Sequence, residues 1–356
     1  MKKISYILLF NLFVIYSCSD KLENVPQEYL RENALTTASS LQVDTVLSGD
    51  TFPTANRFYY YNDSVIIVFN RGQENDFFLK FYNSNRKEVV KAAFMFGNGP
   101  KEMLLPAIET GGDDLLIRDV QGEKLCILNV DSFLNSNRYS MSMIKNQYFR
   151  ISNLCKFNDD IVAVNPFTFV DKQNKIEQDC GSKIVRLGDL EELYNQSHLY
   201  NTINVASEGE ILVNSKLQKM IFACGGQSFI EIYDRKLNVI KRINGPIGLD
   251  VKYYISDDKE VVYKKKIPYT YLASCKNDKY FYLYFMGDYW YIDTKSMDNH
   301  KGYIIKFDWN GNYVKSYQVD RYVYALSCNK KYQGGDELYV TVNDDNGIPM
   351  LLKLYE

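Results

Sequence analysis

The chain is poor in histidine, with only 2 among its 356 residues, and both His198 and His300 lie in polar, loop-like sequence. Zinc centres commonly use histidine ligands, and Ser-His-Asp catalysis needs a histidine held beside the serine. No Gly-x-Ser-x-Gly motif occurs. The sequence therefore argues against a histidine-rich zinc site and a serine hydrolase, and we expect neither a metal nor another cofactor.

Cysteine is sparse as well, and it is not arranged to bind a metal. Besides Cys18, six cysteines are spread over the chain without a Cys-x-x-Cys pair. A chain of this length can be stabilised by apolar burial, so a disulfide framework is not required, and we leave open whether any disulfide forms. Four cysteines lie in or beside strand-like runs, and we predict that they are core residues: Cys126, Cys155, Cys275 and Cys328.

Neither sign of charge is in excess. The chain has 42 Lys and Arg against 44 Asp and Glu, a formal net charge of -2. Binding to a phosphate backbone requires a surplus of basic residues. We therefore expect no nucleic acid among the partners.

No apolar run is long enough to span a bilayer, which takes about 20 residues. The candidate nearest to this length is Ile4–Tyr16, which follows Lys2 and Lys3 and ends at Ser17-Cys18. This arrangement resembles the bacterial lipoprotein signal, in which the peptide is removed before the cysteine that receives the lipid. It predicts a signal peptide over residues 1–17, lipidation of Cys18 and membrane attachment through that lipid. An ordinary secretory peptide is the alternative.

The residues after Cys18 refine this expected location. Asp20 and Glu23 are faintly similar to the acidic surface-export signal of Bacteroidetes lipoproteins. We therefore expect a lipid anchor in the outer membrane of the cell envelope, and the sequence leaves its face open. Residues 18–38 are rich in Ser, Asn, Glu and Gln, and we predict that they form a flexible tether.

Tyrosine and phenylalanine are abundant, with 30 and 20 copies against 2 Trp and 8 Pro. Aromatic side chains fit the pleated, half-buried surfaces of sheets. The composition therefore predicts an all-β fold.

A short apolar-apolar-polar-apolar tetrad recurs six times along the chain. The tetrads start 49, 57, 45, 75 and 47 residues apart, a spacing typical of four-stranded propeller blades. They are Phe78–Phe81, Ile127–Val130, Ile184–Leu187, Phe229–Ile232, Ile304–Phe307 and Leu351–Leu354. The repetition predicts one blade for each tetrad.

Further strands are predicted around the tetrads. Strand candidates that open at an acidic or polar turn precede several of them: Val65–Phe69, Leu115–Val120, Ile161–Val164, Tyr280–Phe285 and Leu338–Val342. Outer strand candidates follow three of them: Glu88–Phe94, Val239–Ile243 and Tyr313–Val319. The last of these is entered through Asn310-Gly311, a strong hairpin pattern.

The sixth unit has no sequence of its own for an outer strand, since the chain stops at Glu356, two residues after Leu354. The alternating stretch Leu41–Leu47 belongs to no hairpin before the first unit. We expect it to cover the open edge of the last blade. The prediction for residues 39–356 is thus a six-bladed β-propeller of four-stranded antiparallel blades, closed by an N-terminal strand.

Three segments give the chain a family resemblance. Phe96–Glu102 is similar to a Gly-x-Gly-Pro-x-Glu turn that follows the first blade, and Tyr280–Gly287 and Ile304–Gly311 carry the rest. Over residues 40–356 the chain resembles the TolB-like six-bladed β-propeller lipoproteins of Bacteroidetes. This resemblance implies a scaffold and a cell-envelope location, and it implies no activity for any particular residue.

One segment stands out as a candidate ligand site. Tyr289, Trp290 and Tyr291 lie between Asp288 and Asp293, within the longest gap between tetrads. Aromatic rings presented by a loop at the mouth of a propeller can stack on a sugar or a peptide. We predict ligand binding by these five residues. The alternative is that the triplet continues a hairpin strand and packs on the neighbouring blade.

Other acidic pairs and the glycine-rich turn are not predicted as sites. The pairs are Asp113-Asp114, Asp159-Asp160, Asp257-Asp258 and Asp344-Asp345, and they lack the calcium-loop spacing. They are expected in solvated turns, and Gly97–Gly99 is expected in a turn between blades rather than in a phosphate loop.

Three function hypotheses follow. The leading one is a non-enzymatic envelope lipoprotein whose propeller binds a glycan, a peptide or a protein. Its rival is a hydrolase or lyase that uses carboxylates of the channel, with a divalent cation as an option. A structural assembly partner is the third. Converging carboxylates in the channel would favour the rival, whereas aromatic and amide groups there would favour binding.

Overall fold

The computed structural model describes residues 25–52, 55–70, 76–119, 121–143, 153–164, 184–189, 209–249, 253–255, 261–263, 266–291, 301–329 and 336–356. These residues are mostly strands, with two short α-helices and two 3-10 turns, Gly49–Thr51 and Leu187–Asp189. None of the helices in the described ranges has the length and hydropathy to span a bilayer.

The chain enters through three short elements, which together form what we call the N-terminal segment, residues 25–48. They are β1 (Gln27–Tyr29), α1 (Asn33–Thr36) and β2 (Gln42–Ser48).

The first three blades follow in chain order. Blade 1 contains β3 (Ala55–Asn62), β4 (Val65–Asn70), β5 (Phe77–Asn83), β6 (Glu88–Phe96) and the short β7 (Glu102–Met103). Blade 2 contains β8 (Pro106–Glu109), β9 (Leu115–Asp119), β10 (Lys124–Leu128) and β11 (Ser140–Met143), with α2 (Val130–Ser136) before β11. Blade 3 contains β12 (Leu154–Phe157), β13 (Asp160–Val164) and β14 (Ile184–Arg186).

The last three blades have the same order. Blade 4 contains β15 (Gly209–Asn214), β16 (Lys219–Cys224), β17 (Phe229–Tyr233) and β18 (Val239–Asn244). A separate hairpin, β19 (Tyr253–Ile255) and β20 (Val261–Tyr263), precedes blade 5, which contains β21 (Lys266–Lys276), β22 (Tyr280–Tyr291), β23 (Gly302–Asp308) and β24 (Tyr313–Val319). Blade 6 contains β25 (Ala325–Cys328), β26 (Glu337–Asn343) and β27 (Pro349–Tyr355).

These sheets form a propeller, as the sequence predicts. In the described residues, five sheets have four or five strands and the sheet of blade 3 has three. Each tetrad begins in the third strand of its blade, and some tetrads end one or two residues after that strand. The strands predicted ahead of the tetrads are the second strands of the blades. The first strands face one another around a channel, since β3 contacts β25, β25 contacts β21, β21 contacts β15 and β15 contacts β12.

The ring is closed by backbone pairing between the two ends of the domain. Strand β2 pairs antiparallel with β27, from Gln42 opposite Tyr355 to Ser48 opposite Met350. This completes blade 6 as a four-stranded sheet in the order β2-β27-β26-β25. The prediction that the stretch before the first unit closes the ring is confirmed.

The rest of the N-terminal segment differs from the flexible tether predicted for residues 18–38. Strand β1 pairs parallel with the outer strand β18 of blade 4. Leu35 is buried in one apolar cluster with Ile243 of blade 4 and Phe307 of blade 5. Ser39 then exchanges backbone hydrogen bonds with β24, donating to Ser316 and accepting from Gln318. The polar composition of this stretch does not indicate that Leu35 is buried. Nor does it indicate that the backbone of the stretch pairs with the edges of the blades.

The turn after blade 1 explains its Gly-x-Gly-Pro-x-Glu sequence. The Gly99 amide donates to Glu102 Oε2 at 2.7 Å. A Cβ on Gly97, whose φ is +149°, would stand 2.1 Å from that oxygen. Glycine is therefore required for the carboxylate to close the turn. Lys124 donates to the carbonyls of Gly99 and Glu102, at 2.8 Å each, and ties the turn to blade 2. The predicted turn between blades is confirmed.

The core accounts for the many tyrosines. Several are buried with the hydroxyl group bonded, as buried phenols require. Asp336 accepts from Tyr282 and from Lys306 at 2.7 Å each, and also from Tyr317. This buried carboxylate lies just before β26 and so joins blade 5 to blade 6.

The cysteines described by the structure are core residues with free thiols: Cys126, Cys155, Cys224, Cys275 and Cys328. All five are buried. This confirms the prediction for the four cysteines assigned to the core. Cys18 and Cys180 lie outside the described residues.

The closing strand provides a test of its contribution to stability. Leu47 is 7% exposed and shares an apolar cluster with Phe58 and Leu351, whereas Val43 on the same strand is 55% exposed. We expect Leu47→Ala to lower the free energy of unfolding by about 2 to 5 kcal/mol, as loss of a core leucine does. Val43→Ala should change it by less than about 0.5 kcal/mol. Urea denaturation of both variants measures the difference, and equal effects would contradict packing of β2 onto the ring.

Candidate functional site

The first strands of the blades enclose a cavity of about 440 Å³ at the channel, here called the channel cavity. Residues of all six blades line it, from β3, β8, β12, β15, β21 and β25. This volume is in the range of small-molecule sites, and convergence of several elements on one concavity is typical of them.

Four charged side chains line the channel cavity, two arginines and two glutamates: Arg57, Arg118, Glu109 and Glu210. They come from β3, β9, β8 and β15, so that only the closed ring brings them together. Sequence analysis did not single out any of them.

Arg57 and Glu210 form one part of this group. The Glu210 Oε2 atom accepts a hydrogen bond of 2.6 Å from the Ser274 hydroxyl. Burial raises the pKa of Glu210, and both the Ser274 hydrogen bond and Arg57 oppose that rise. Tyr59 raises the pKa of Arg57 the most, against burial, and Glu210 adds to the rise. Arg57 is therefore a permanent positive charge in the cavity.

Arg118 and Glu109 form the other part. Arg118 Nη2 lies 4.0 Å from Glu109 Oε1, and the two side chains are only 9% and 13% exposed. Burial raises the pKa of Glu109 to about 7, although Arg118 opposes the rise, and Glu210 raises it further. Glu109 can therefore exchange a proton near neutral pH, which few carboxyl groups do.

Phenol and amide groups complete the lining. Tyr59, Tyr269, Tyr271 and Tyr324 line the cavity together with Asn56 and Asn153. The Tyr271 hydroxyl donates to the Gly245 carbonyl at 2.6 Å. Tyr322 and Tyr324 are packed edge to face with ring centroids 4.8 Å apart. The cavity thus offers fixed aromatic faces together with hydrogen-bond donors and acceptors.

In the described part of the chain, two carboxyl groups line the channel cavity, those of Glu109 and Glu210. Within the described ranges, no group of three or more His, Cys, Asp or Glu residues is placed to hold a metal ion. The two carboxyl groups of the cavity each have an arginine among the charges that act on them. The described lining combines charged, phenol and amide groups.

The predicted aromatic segment is a strand rather than a loop. Asp288 lies opposite Tyr269, Tyr289 opposite Pro268, and Trp290 opposite Ile267, all within the antiparallel pair β21–β22. The Tyr289 amide donates to Asp288 Oδ1 at 2.7 Å. Only the backbone of Trp290 and Tyr291 is described, and Asp293 lies outside the described residues. Ligand binding by this segment stays a prediction.

This strand pair reaches the channel cavity, since Tyr269 and Tyr271 line it. We call residues 266–270 and 287–291 the rim hairpin. The register is shifted between Tyr269 and Tyr271, and Gly287 has a φ of +70°. A Cβ there would approach Phe285 to 2.5 Å, so glycine permits the bend. The rim hairpin therefore bends where Tyr269 lines the channel cavity.

A sequence pattern could have indicated three of the charged residues. Arg57, Glu109 and Glu210 lie 21, 18 and 19 residues before the tetrads that start at Phe78, Ile127 and Phe229. In these three blades, a charged residue at that distance from the tetrad lies in the first strand. The pattern is weak because first strands are short and partly polar, and blades 3, 5 and 6 do not repeat it.

The raised pKa of Glu109 predicts that the free energy of unfolding depends on pH. Its pKa rises from the ordinary 4.5 to about 7 on folding, so the folded state binds the proton more tightly. The protonated group stabilises the fold below pH 4.5, and this stability is lost as pH rises to about 7. Glu109→Gln mimics the protonated form, so it should match wild type near pH 4.5 and exceed it at pH 8 by roughly 3 kcal/mol at most.

Urea denaturation across this pH range measures the effect. Glu88→Gln serves as the control, because Glu88 is 56% exposed on the outside of blade 1 and should leave the pH profile unchanged. If Glu109→Gln keeps the wild-type loss of stability between pH 4.5 and 7, Glu109 is not the titrating group.

Known proteins share this architecture. A family model for TolB-like 6-blade propeller-like proteins matches residues 39–331. The crystal structure of a member of the duf4221 family from Bacteroides vulgatus is similar with a TM-score of 0.52 at 8% identity, covering 90% of this chain and 97% of that one. A putative exported protein from Bacteroides fragilis is similar with a TM-score of 0.50 at 9% identity, covering 93% of this chain and 99% of that one.

At such identities the structural likeness shows the fold alone. Comparison with the curated proteins gave no match. The family match covers most of the chain and confirms the resemblance carried by the turn after blade 1 and by the two segments of blade 5. The chain belongs to the TolB-like six-bladed propeller family.

Proposed function

We propose that this chain is a lipid-anchored binding protein of the cell envelope, and that its channel cavity binds a glycan or a peptide. The observation that carries the proposal is the channel cavity itself, about 440 Å³ in volume and lined by all six blades. Its lining combines two arginines, two glutamates and several tyrosines. Concave sites with a few convergent polar groups on rigid strands are the usual form of a small-molecule site.

The mixture of donors and acceptors favours a ligand with many hydrogen-bonding groups. Guanidinium groups donate only, carboxylates accept, and phenol and amide groups do both. Sugars and peptide ends present the matching set. Tyrosine rings add flat apolar faces, which suit the faces of a sugar ring.

In this proposal the rim hairpin supplies a second contact surface next to the channel cavity. Tyr269 lines the cavity, and Asp288 is its cross-strand partner. A ligand longer than the cavity would extend toward Asp288, the first residue of the predicted aromatic site. This continuity supports a glycan or peptide chain over a compact metabolite.

One observation favours the rival enzymatic function. Glu109 has a pKa raised by burial to about 7, a value suited to general acid or base catalysis. Such a hydrolase or lyase would lose turnover in Glu109→Gln while still binding substrate. A bound glycan released unchanged by the wild-type protein would exclude it.

Lipid anchoring through Cys18 has its own test. Cys18→Ala should abolish labelling by a fatty acid and move the protein to the soluble fraction, because the acceptor of the lipid is removed. The melting temperature of the propeller should not change. Labelling or membrane retention of the variant would contradict the lipoprotein assignment.

Binding in the channel is tested on glycan and peptide arrays. We expect the folded propeller to retain a defined set of probes and Arg57→Gln to reduce that retention by about ten-fold, since a hydrogen bond to a charged group contributes about 1.5 to 3 kcal/mol. Arg86→Gln is the matched control, because Arg86 is 72% exposed on the outside of blade 1.

Trp290→Ala tests the rim hairpin in the same assay. Loss of retention at an unchanged melting temperature would support a ligand contact at the mouth. A fall in stability of about 3 to 5 kcal/mol would instead assign Trp290 to packing between blades.

Equal retention of the array probes by Arg57→Gln and Arg86→Gln would contradict binding in the channel.

A further inference from the structure

The charges of the channel cavity specify the ligand more closely. This inference rests on the proposed function, since it names the ligand class of the same site. The cavity contains two guanidinium groups, which stay charged at any physiological pH. It contains two carboxyl groups, and burial raises the pKa of both, that of Glu109 to about 7. At neutral pH Glu109 is therefore partly protonated, so the two guanidinium groups carry more charge than the two carboxyl groups.

Arg57 is the better placed of the two cations for a ligand. Arg118 is 9% exposed and lies at ion-pair distance from Glu109, with 4.0 Å between Nη2 and Oε1. Arg57 is only partly buried at the cavity wall, where its side chain is hydrogen-bonded to Tyr59. The neighbouring Glu210 is held by the Ser274 hydroxyl at 2.6 Å. A guanidinium in this position fits a planar carboxylate in two-point contact.

The rest of the lining limits the charge and the shape of the ligand. A group with two negative charges, such as a phosphate, would meet Glu109 and Glu210 in the same small cavity. A single carboxylate balances the surplus with less repulsion, because it carries one negative charge instead of two. The carboxyl groups, the amides of Asn56 and Asn153 and the surrounding phenols then remain for hydroxyl groups.

We propose that the channel cavity binds a sugar acid, with the ligand carboxylate on Arg57 and its hydroxyl groups on the glutamates, amides and phenols of the lining. The cavity of about 440 Å³ sets the size at one or two sugar units, held at the end or within a longer glycan.

Binding of this anion is coupled to the protonation of Glu109. The groups that act on its charge are Arg118 and Arg57, which favour ionisation together with the Asn153 backbone, and Glu210, which opposes it. A ligand carboxylate adds another negative charge to the cavity and so favours the protonated form. Sugar acids should therefore bind more tightly at pH 6 than at pH 8, and Glu109→Gln should remove this difference.

The direct test is calorimetric titration of the wild-type propeller with D-glucuronate, D-galacturonate and N-acetylneuraminate, against D-glucuronamide, D-glucose and acetate. We expect at least one acid to bind and its neutral counterpart to bind at least about ten-fold more weakly, because the contact to Arg57 is lost. Acetate should bind far more weakly than the sugar acid. The comparison of acid with amide needs no variant and so does not depend on folding of a mutant.

Variants then locate the carboxylate. Arg57→Gln should lose at least about ten-fold in affinity for the acid and little for a neutral sugar, and Arg57→Lys, which keeps the charge without the planar fork, should fall between. Arg86→Gln should bind as wild type does.

The outcomes separate the two proposals. Equal affinity for acid and amide, or binding of neutral sugars or peptides alone, would overturn the sugar-acid class and leave the binding function standing. Failure of every array probe and every sugar acid to bind would overturn both.

Discussion

The fold depends on one backbone interaction, the antiparallel pairing of β2 with β27. Without it, blade 6 would expose an unpaired edge. The two ends of the ring would then be joined by packing of blade 6 on β3 and by hydrogen bonds of the β3 backbone to Thr341 and Ser327. A sheet edge left open in this way is a site for unwanted pairing. The Tyr60 amide donates to Ser327 and so holds β25 against β3 at the wall of the channel cavity.

The N-terminal segment extends this closure along three blades. It adds a parallel strand to blade 4, buries Leu35 between blades 4 and 5, and supplies the outer strand of blade 6. Strands β1 and β2 pair with the edges of blades 4 and 6, which would otherwise be exposed to solvent. The chain is thus joined to the propeller from Gln27 onward, nine residues after Cys18, the predicted lipid site.

The closed ring brings buried arginine and glutamate side chains together in the channel cavity. Arginine and glutamate are costly to bury alone, but the first strands bring charges of opposite sign into one polar space. The surrounding blades are rigid, with apolar residues packed on both faces of their second and third strands. The raised pKa of Glu109 follows from this burial, and it makes the cavity responsive to protons near neutral pH.

The sequence by itself determined the number and order of the blades and the closing strand. Second and third strands are buried on both faces, so their apolar tetrads recur at blade spacing and are visible without a structure. The turn after blade 1 could also be predicted from the sequence, because the Glu102 carboxylate lies so close to Gly97 that only glycine fits there.

The tertiary structure alone decided where the candidate site lies. Arg57, Glu109, Arg118 and Glu210 are separated by up to 153 residues, from 57 to 210, and no local pattern links all four. They meet because ring closure brings first strands of distant blades side by side. The packing of residues 25–38 escaped the sequence analysis for a related reason: it is held mainly by backbone hydrogen bonds to strand edges, and backbone groups leave no mark on the choice of side chain.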